Sequence, residues 1–182
     1  MAEAPLGVPL EELIGLCGGL SAPARAVLVG GYFGAWIEAD LDTPLANEML
    51  RPLGASLGAR TIVVLPESAC GVVETARVAA YMAEQSAGQC GPCVFGLAAL
   101  ADSLARVAAC GSDGAEALER VPRLEAQIAR RGACAHPDGT LGFVGSALRV
   151  FADELEEHLA GRCSATDHEP VLPTPLLHGG RR

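Results

Sequence analysis

Apolar side chains recur at helical spacing in four successive stretches, 72–85, 93–109, 115–131 and 143–159. The last stretch is the most regular, because it aligns these side chains on one stripe: Val144, Ala147, Leu148, Phe151, Leu155 and Leu159. Glu154 and His158 are expected on the opposite, polar side of that helix. Since helices with one apolar stripe bury it against each other, this part of the chain is predicted to form a four-helix-type bundle.

The preceding residues have a different pattern. Residues 8–17 repeat apolar positions at helical spacing, and two short apolar runs, 26–29 and 61–65, predict strands. We therefore predict an α+β fold, in which a small α/β segment, 1–70, is followed by the helical bundle, 71–162. The remainder, 163–182, is rich in Pro and Gly and has no period, which predicts a disordered tail.

Charge and hydropathy exclude several classes of protein. The chain carries a net charge of −9 and no lysine, so it has no basic stripe and we expect no nucleic-acid partner. It has no apolar run of membrane-spanning length and no basic N-terminal segment of a secretory signal. These features predict a cytoplasmic protein without a transmembrane segment. In that reducing compartment the seven Cys are expected to be ligands, redox groups or buried side chains rather than disulfides.

Two of these cysteines, Cys90 and Cys93, form the sequence "CGPC" after a glycine-rich turn and just before a helix. Backbone N–H groups at a helix N-terminus stabilise thiolates and cluster sulfides, which suits either a redox dithiol or an iron–sulfur cluster. A thioredoxin-like dithiol requires a strand before this sequence. Residues 72–85 are helical in pattern instead, and this disfavours the dithiol.

Cys134 and His136 are candidate partners of this pair. They share a turn, "RRGACAHPDG", between two predicted helices, where side chains can point into a site. Cys110 is excluded from the same site, because it ends the helix that Cys93 begins, about 25 Å away at 1.5 Å per residue.

The remaining cysteines are assigned simpler roles. Cys17 and Cys70 have apolar neighbours in the sequence and are expected to be core residues. Cys163, at the edge of the predicted tail, is expected to be a free thiol. No Ser–His–Asp set and no glycine-rich phosphate loop is recognisable, so hydrolase and nucleotide-binding functions have no support.

Several segments, in order, resemble a known family. They are "PLGVPLEELIGLCGGL", "AVLVGGYFGAWIEADLDTPL", "LGARTIVVLPESAC", "ARVAAYMAEQSAGQCGPCVFGL", "GACAHPDG" and "ALRVFADELEEH". Together they resemble, over about residues 5–161, the C-terminal part of the NADH-binding flavoprotein subunit of NADH:quinone oxidoreductase. Related regions occur in NAD-linked hydrogenases and formate dehydrogenases. The resemblance implies a truncated soluble-ligand-binding β-grasp (ubiquitin-like) module in 1–70, followed by an iron–sulfur-binding helical bundle.

The resemblance also implies a set of ligands. The family binds a 4Fe-4S cluster through C-x-x-C-x-x-C and one later Cys. By position, Cys90, Cys93 and Cys134 retain three of these ligands, whereas Ala87 stands at the first position and cannot ligate. The fourth iron site is then filled by His136, a solvent species, another chain, or nothing, and the last option gives a 3Fe-4S cluster.

The family's flavin and NADH domain precedes this region and has no counterpart in the sequence, so we expect no FMN or NAD site. The resemblance implies an electron-transfer or accessory subunit of an NADH:quinone-oxidoreductase-like oxidoreductase, which is not a complete enzyme alone. Its expected partners are other oxidoreductase subunits or a ferredoxin-like electron carrier.

Two alternatives remain open. In the first, the chain is a scaffold that docks partners and keeps only a vestige of the cluster site. In the second, Cys90, Cys93, Cys134 and His136 form a Cys₃His zinc site, which is a suitable tetrahedral ligand set.

Overall fold

The computed structural model describes residues 1–165 and 169–174. This part of the chain contains seven helices and one three-stranded sheet. The helices are α1 (Leu10–Leu16), α2 (Asn47–Leu50), α3 (Gly71–Glu84), α4 (Ala98–Ala108), α5 (Gly114–Ile128), α6 (His136–Val150) and α7 (Ala152–Leu159). The strands are β1 (Ala24–Val29), β2 (Ala35–Glu38) and β3 (Ile62–Pro66). A π-helical segment, Pro92–Leu97, runs directly into α4.

The sheet is antiparallel with the order β2-β1-β3. Side chains of a strand point alternately to its two faces, and the central strand β1 is buried on both. Val27 and Val29 pack with α1 and the segment around α2, whereas Ala26 and Leu28 belong to the core shared with the helical bundle. Strand β1 therefore joins the small N-terminal core to the large one.

The bundle packs mainly through one apolar stripe that continues from the π-helical segment into α4. Its residues Leu97, Leu100, Leu104 and Val107 are almost fully buried. Trp36 of β2 inserts its ring into the same core, 6.2 Å from the ring of Phe143 and 5.2 Å from that of Phe151. The predicted α+β class, with a small sheet beside a helical bundle, is confirmed. Strand β2 was not predicted, because its four residues lie between turns and offer little periodicity.

The long helix predicted for 143–159 is broken. Helix α6 ends at Val150 and α7 begins at Ala152, and Phe151 between them has non-helical dihedrals of −106° and 30°. The bend turns the start of α7 toward the N-terminus of α3. Glu154 and His158, both expected on a solvated face from the sequence, are only 5% and 1% exposed. That expectation was wrong because a helical period shows which residues share a face but not what covers the other face.

Residues 169–174 lie in the segment for which the sequence predicts disorder, and they make defined contacts. Leu172 is fully buried in the large core. The backbone N–H groups of Val171 and Leu172 donate to Glu74 Oε2 at 3.2 and 2.7 Å. The rest of the predicted tail, 166–168 and 175–182, lies outside the described residues.

Among the described residues, no helix combines the length and apolar character needed to cross a lipid bilayer.

One buried hydrogen bond ties the sheet to the bundle and gives a stability prediction. The backbone N–H of Trp36 donates to Ser146 Oγ at 2.9 Å, and both residues are buried. Replacing Ser146 with Ala leaves that N–H without its partner, so we expect the free energy of unfolding to fall by about 1–3 kcal/mol. The measurement is denaturant unfolding, with the exposed Ser112→Ala as the matched control. Equal stability of the two variants would contradict this role of Ser146.

Candidate functional site

Cys90 and Cys93 lie where the chain enters the π-helical segment before α4. The Cys90 carbonyl accepts the N–H groups of Cys93 and Val94 at 3.1 and 3.0 Å, so the first turn starts at Cys90 itself. Gly88, two residues earlier, has a φ of +63°, which favours glycine. Cys90 is half-buried and Cys93 is buried.

The π-helical segment is held against α5 by a close approach at Gly96. A Cβ atom built at Gly96 would lie 2.5 Å from Ile128 Cγ1, so this position admits no larger side chain without movement. Because Ile128 is the last residue of α5, the contact brings the end of that helix beside the cysteine turn. π-Helical turns of this kind are often found at functional sites.

Cys134 lies in the tight turn between α5 and α6. Arg130 has a φ of +58°, and its N–H donates to Asp138 Oδ1 at 2.7 Å, which closes the turn. A Cβ atom at Gly132 would lie 2.8 Å from the carbonyl oxygen of Cys134. The turn therefore requires glycine at 132, and it leaves Cys134 exposed.

The two turns meet through the thiol of Cys90. The nearby backbone N–H groups of Ala133 and Cys93 stabilise the thiolate of Cys90 and lower the pKa of its thiol. Burial raises the pKa of the Cys93 thiol, and the nearby thiolates of Cys90 and Cys134 raise it further. The three predicted thiols thus share one electrostatic environment, with Cys90 as the easiest of the pair to ionise.

His136 begins α6 beside this turn and is half-buried. Its Nε2 lies 2.8 Å from the Met82 carbonyl oxygen, and its ring meets the Phe33 ring edge-on with centroids 5.5 Å apart. Since a carbonyl only accepts, Nε2 carries the hydrogen and Nδ1 keeps the lone pair in the neutral ring. A metal-bound histidine is typically oriented by such a backbone contact through its other nitrogen.

The residues around Cys90 and Cys93 are exposed and largely apolar. Ala87 is exposed, so the first family ligand position lies at the surface. Val94 and Phe95 are also exposed, by 44% and 76%.

The thiols of this site do not form a compact set for one metal ion. Zinc–sulfur bonds of about 2.3 Å place the ligands of one tetrahedral ion about 4 Å apart. In the described part of the chain, the one group of three metal-ligating side chains with mutual distances within 4.8 Å is Cys70, His158 and Cys163. The Cys₃His zinc alternative for Cys90, Cys93, Cys134 and His136 therefore lacks a preformed geometry, whereas a cluster needs wider spacing because each thiolate binds a different iron.

Sequence reasoning missed this second group. Cys70 is buried, as expected, and its Sγ accepts the N–H of Val73 at 3.3 Å as the N-cap of α3. Cys163 is a free thiol, as expected, and it lies beside Cys70 and His158. The three residues are far apart in sequence and match no ligand motif, so only the fold brings them together. Cys17, predicted to be in the core, is exposed because α1 buries only Leu10.

Comparisons with known proteins match the region that contains these cysteines. The family model described as the NADH-ubiquinone oxidoreductase-F iron-sulfur binding region matches residues 64–158. The F-type subunit of NADH-quinone oxidoreductase from Streptomyces coelicolor is 30% identical over 163 residues, covering 88% of this chain and 36% of the relative. The mitochondrial NADH dehydrogenase (ubiquinone) flavoprotein 1 of Dictyostelium discoideum is 26% identical, covering 86% of this chain and 34% of the relative. The chain thus spans about a third of the length of these curated relatives.

The fold also matches a solved structure. The air-oxidized NAD+-reducing NiFe hydrogenase contains a chain with a TM-score of 0.69 and 24% identity. The match covers 92% of this chain and 28% of the hydrogenase chain. At this identity the likeness establishes the shared fold.

The opposite pKa shifts of Cys90 and Cys93 predict different reactivity in metal-free protein. Thiolates, not thiols, react with iodoacetamide, and the lowered pKa of Cys90 gives it more thiolate at neutral pH than the raised pKa gives Cys93. We expect Cys90 to be alkylated severalfold faster, and its rate to rise at a lower pH than that of Cys93. Peptide mass spectrometry over a pH series measures both rates, with the exposed Cys17 as internal reference. Equal pH profiles for Cys90 and Cys93 would contradict the prediction.

Proposed function

Because this chain belongs to the family of the NADH-ubiquinone oxidoreductase-F iron-sulfur binding region, as its motifs predict, we propose that Cys90, Cys93 and Cys134 hold an iron–sulfur cluster. The chain then acts as an electron-transfer or accessory subunit of a larger oxidoreductase. The observation that carries the assignment is the packing of the two cysteine turns. Gly96 lies against Ile128 at the end of α5. The backbone N–H of Ala133, next to Cys134, lowers the pKa of the Cys90 thiol. This packing supports one shared site for three cysteines that are distant in the chain.

The residues suit such a group chemically. Cluster irons bind thiolates, and the two backbone N–H groups at Cys90 stabilise a thiolate there. Hydrogen bonds to ligating sulfurs also tune cluster potentials. A cluster bound at this site would accept and release single electrons. The half-buried Cys90 and buried Cys93 would form its inner side, and the exposed Cys134 its outer side.

The fourth ligand departs from the family pattern, because Ala87 replaces the thiol of the family motif. Among the chain's own residues we assign the role to His136 through Nδ1, since Nε2 is engaged by the Met82 carbonyl. A solvent species, a group from another chain, or a 3Fe-4S cluster with no fourth ligand are the other outcomes.

The exposed side of the site suits a partner. Val94 and Phe95 present apolar surface next to the cysteine pair. Since the relatives are named as subunits, other oxidoreductase subunits or a ferredoxin-like electron carrier are the proposed partners. We also propose a cytoplasmic location, and we assign NADH oxidation to the relatives and not to this chain. The domain division into a truncated β-grasp module, 1–70, and an iron–sulfur-binding bundle, 71–162, belongs to the same proposal.

Ligand loss tests the site. The chain is reconstituted anaerobically with iron and sulfide, and bound iron, sulfide and the electron paramagnetic resonance spectrum are measured. We expect Cys134→Ser and Cys90→Ser to lower bound iron by about half or more, because each removes one of three thiolates. Cys17→Ser is the matched control, since Cys17 is exposed and outside the site. A wild-type chain that stays free of iron and sulfide would support the scaffold alternative and overturn the proposal.

Restoring the missing thiolate tests the alignment at Ala87. We expect Ala87→Cys to raise cluster content and air stability and to give a four-iron spectrum, because it completes the four-thiolate set. Gln89→Cys, which adds an exposed thiol at the wrong spacing, serves as the control. His136→Ala is then combined with the wild type and with Ala87→Cys, which shows whether His136 contributes to cluster binding. If His136 is the fourth ligand, its loss lowers cluster content in the wild type but not in the Ala87→Cys variant. Equal losses in both backgrounds would remove His136 from the ligand set.

A further inference from the structure

We propose that Cys70, His158 and Cys163 form a second metal site, for a single zinc-like divalent ion, separate from the proposed cluster site. Their ligand atoms all lie within 4.8 Å of one another, and Cys70 Sγ is 3.2 Å from His158 Nε2. Two sulfurs and an imidazole nitrogen at this spacing are the ligand types and distances that zinc uses in proteins.

The histidine is held in the orientation that metal binding requires. Its Nδ1 lies 3.2 Å from the Val107 carbonyl oxygen. The carbonyl only accepts, so Nδ1 carries the hydrogen and Nε2 directs its lone pair toward Cys70. Metal-bound histidines typically donate their second N–H to such a group, which fixes the tautomer and the ring plane. His158 is 1% exposed, so packing locks this arrangement as well.

A metal site without net charge suits this buried position. Cys70 is only 5% exposed. A divalent ion bound by two thiolates and one neutral imidazole gives a site without net charge, and two protons are released to solvent on binding.

Cys110 lies on the other side of the histidine ring and is not one of the proposed ligands. Its Sγ is 3.2 Å from Nδ1, the nitrogen that carries the hydrogen, whereas the ion would bind at Nε2. Water would then take the fourth position of a tetrahedral ion. Zinc-edge X-ray absorption tests this by counting two sulfurs.

The two sites lie at opposite ends of the bundle. Cys93 precedes α4, whereas Cys110 and the Val107 carbonyl lie at its C-terminal end, about 25 Å apart at 1.5 Å per residue. The second site joins the start of α3, the end of α7 and the segment after α7.

The test measures zinc separately from iron on the same protein. The full chain is prepared anaerobically with a reductant, reconstituted with iron and sulfide, equilibrated with zinc and freed of loosely bound metal. We expect about one zinc per chain, with zinc–sulfur distances of about 2.3 Å and a nitrogen at about 2.0–2.1 Å. Cys163→Ser should lower zinc to less than about 0.2 per chain without changing bound iron, because only one site loses a ligand.

Matched variants separate this site from the cluster. Cys134→Ser should lower iron and keep zinc, and Cys17→Ser should change neither. Cys163 is chosen over Cys70 because Cys70 is buried and caps α3, so its replacement affects folding as well. Circular dichroism verifies that Cys163→Ser is folded. Three results would each overturn the proposal. In the first, bound zinc is lost in Cys134→Ser and kept in Cys163→Ser. In the second, zinc binds without sulfur ligands, and in the third, Cys70 and Cys163 form a disulfide under these conditions.

Discussion

The contact between the Phe151 ring and Gly71 determines how the bundle is assembled. A Cβ at Gly71 would lie 2.4 Å from that ring, so α3 can start beside Phe151 only with glycine in this position. Phe151 lies at the bend between α6 and α7, and its ring also packs edge-on against Trp36 of the sheet. Beyond this bend, Glu154 accepts the N–H of Gly71 at 2.8 Å and contacts the guanidinium of Arg25 at 3.1 Å. Both the sheet and the second thiol group depend on this junction.

The proposed cluster site depends on a different constraint, which is the packing of two glycines. Gly96 lets the cysteine turn approach Ile128, and Gly132 lets the next turn close beside it. The Ala133 N–H thereby comes close enough to Cys90 to lower the pKa of its thiol. The site is consequently built from backbone geometry, and its thiols are positioned by the fold itself.

The sequence predicted much of this site, because the relevant signals are local. "CGPC" before a helix identified Cys90 and Cys93, and a glycine-bounded turn identified Cys134 and His136. Spacing alone left the zinc and cluster alternatives open. Among the described residues, no three of these four side chains lie within 4.8 Å of one another. Such a separation is a property of the fold and cannot be read from the sequence.

The sequence by itself determined the α+β class, the helical periods and the family, because these follow from periodicity and from short motifs in a fixed order. Only the tertiary structure decided that His158 and Glu154 are buried, that Cys17 is exposed and that Leu172 joins the core. It also decided that Cys70, His158 and Cys163 meet. The physical reason is the same in each case: burial and proximity depend on which elements pack together, and contacts between residues about ninety positions apart leave no local pattern.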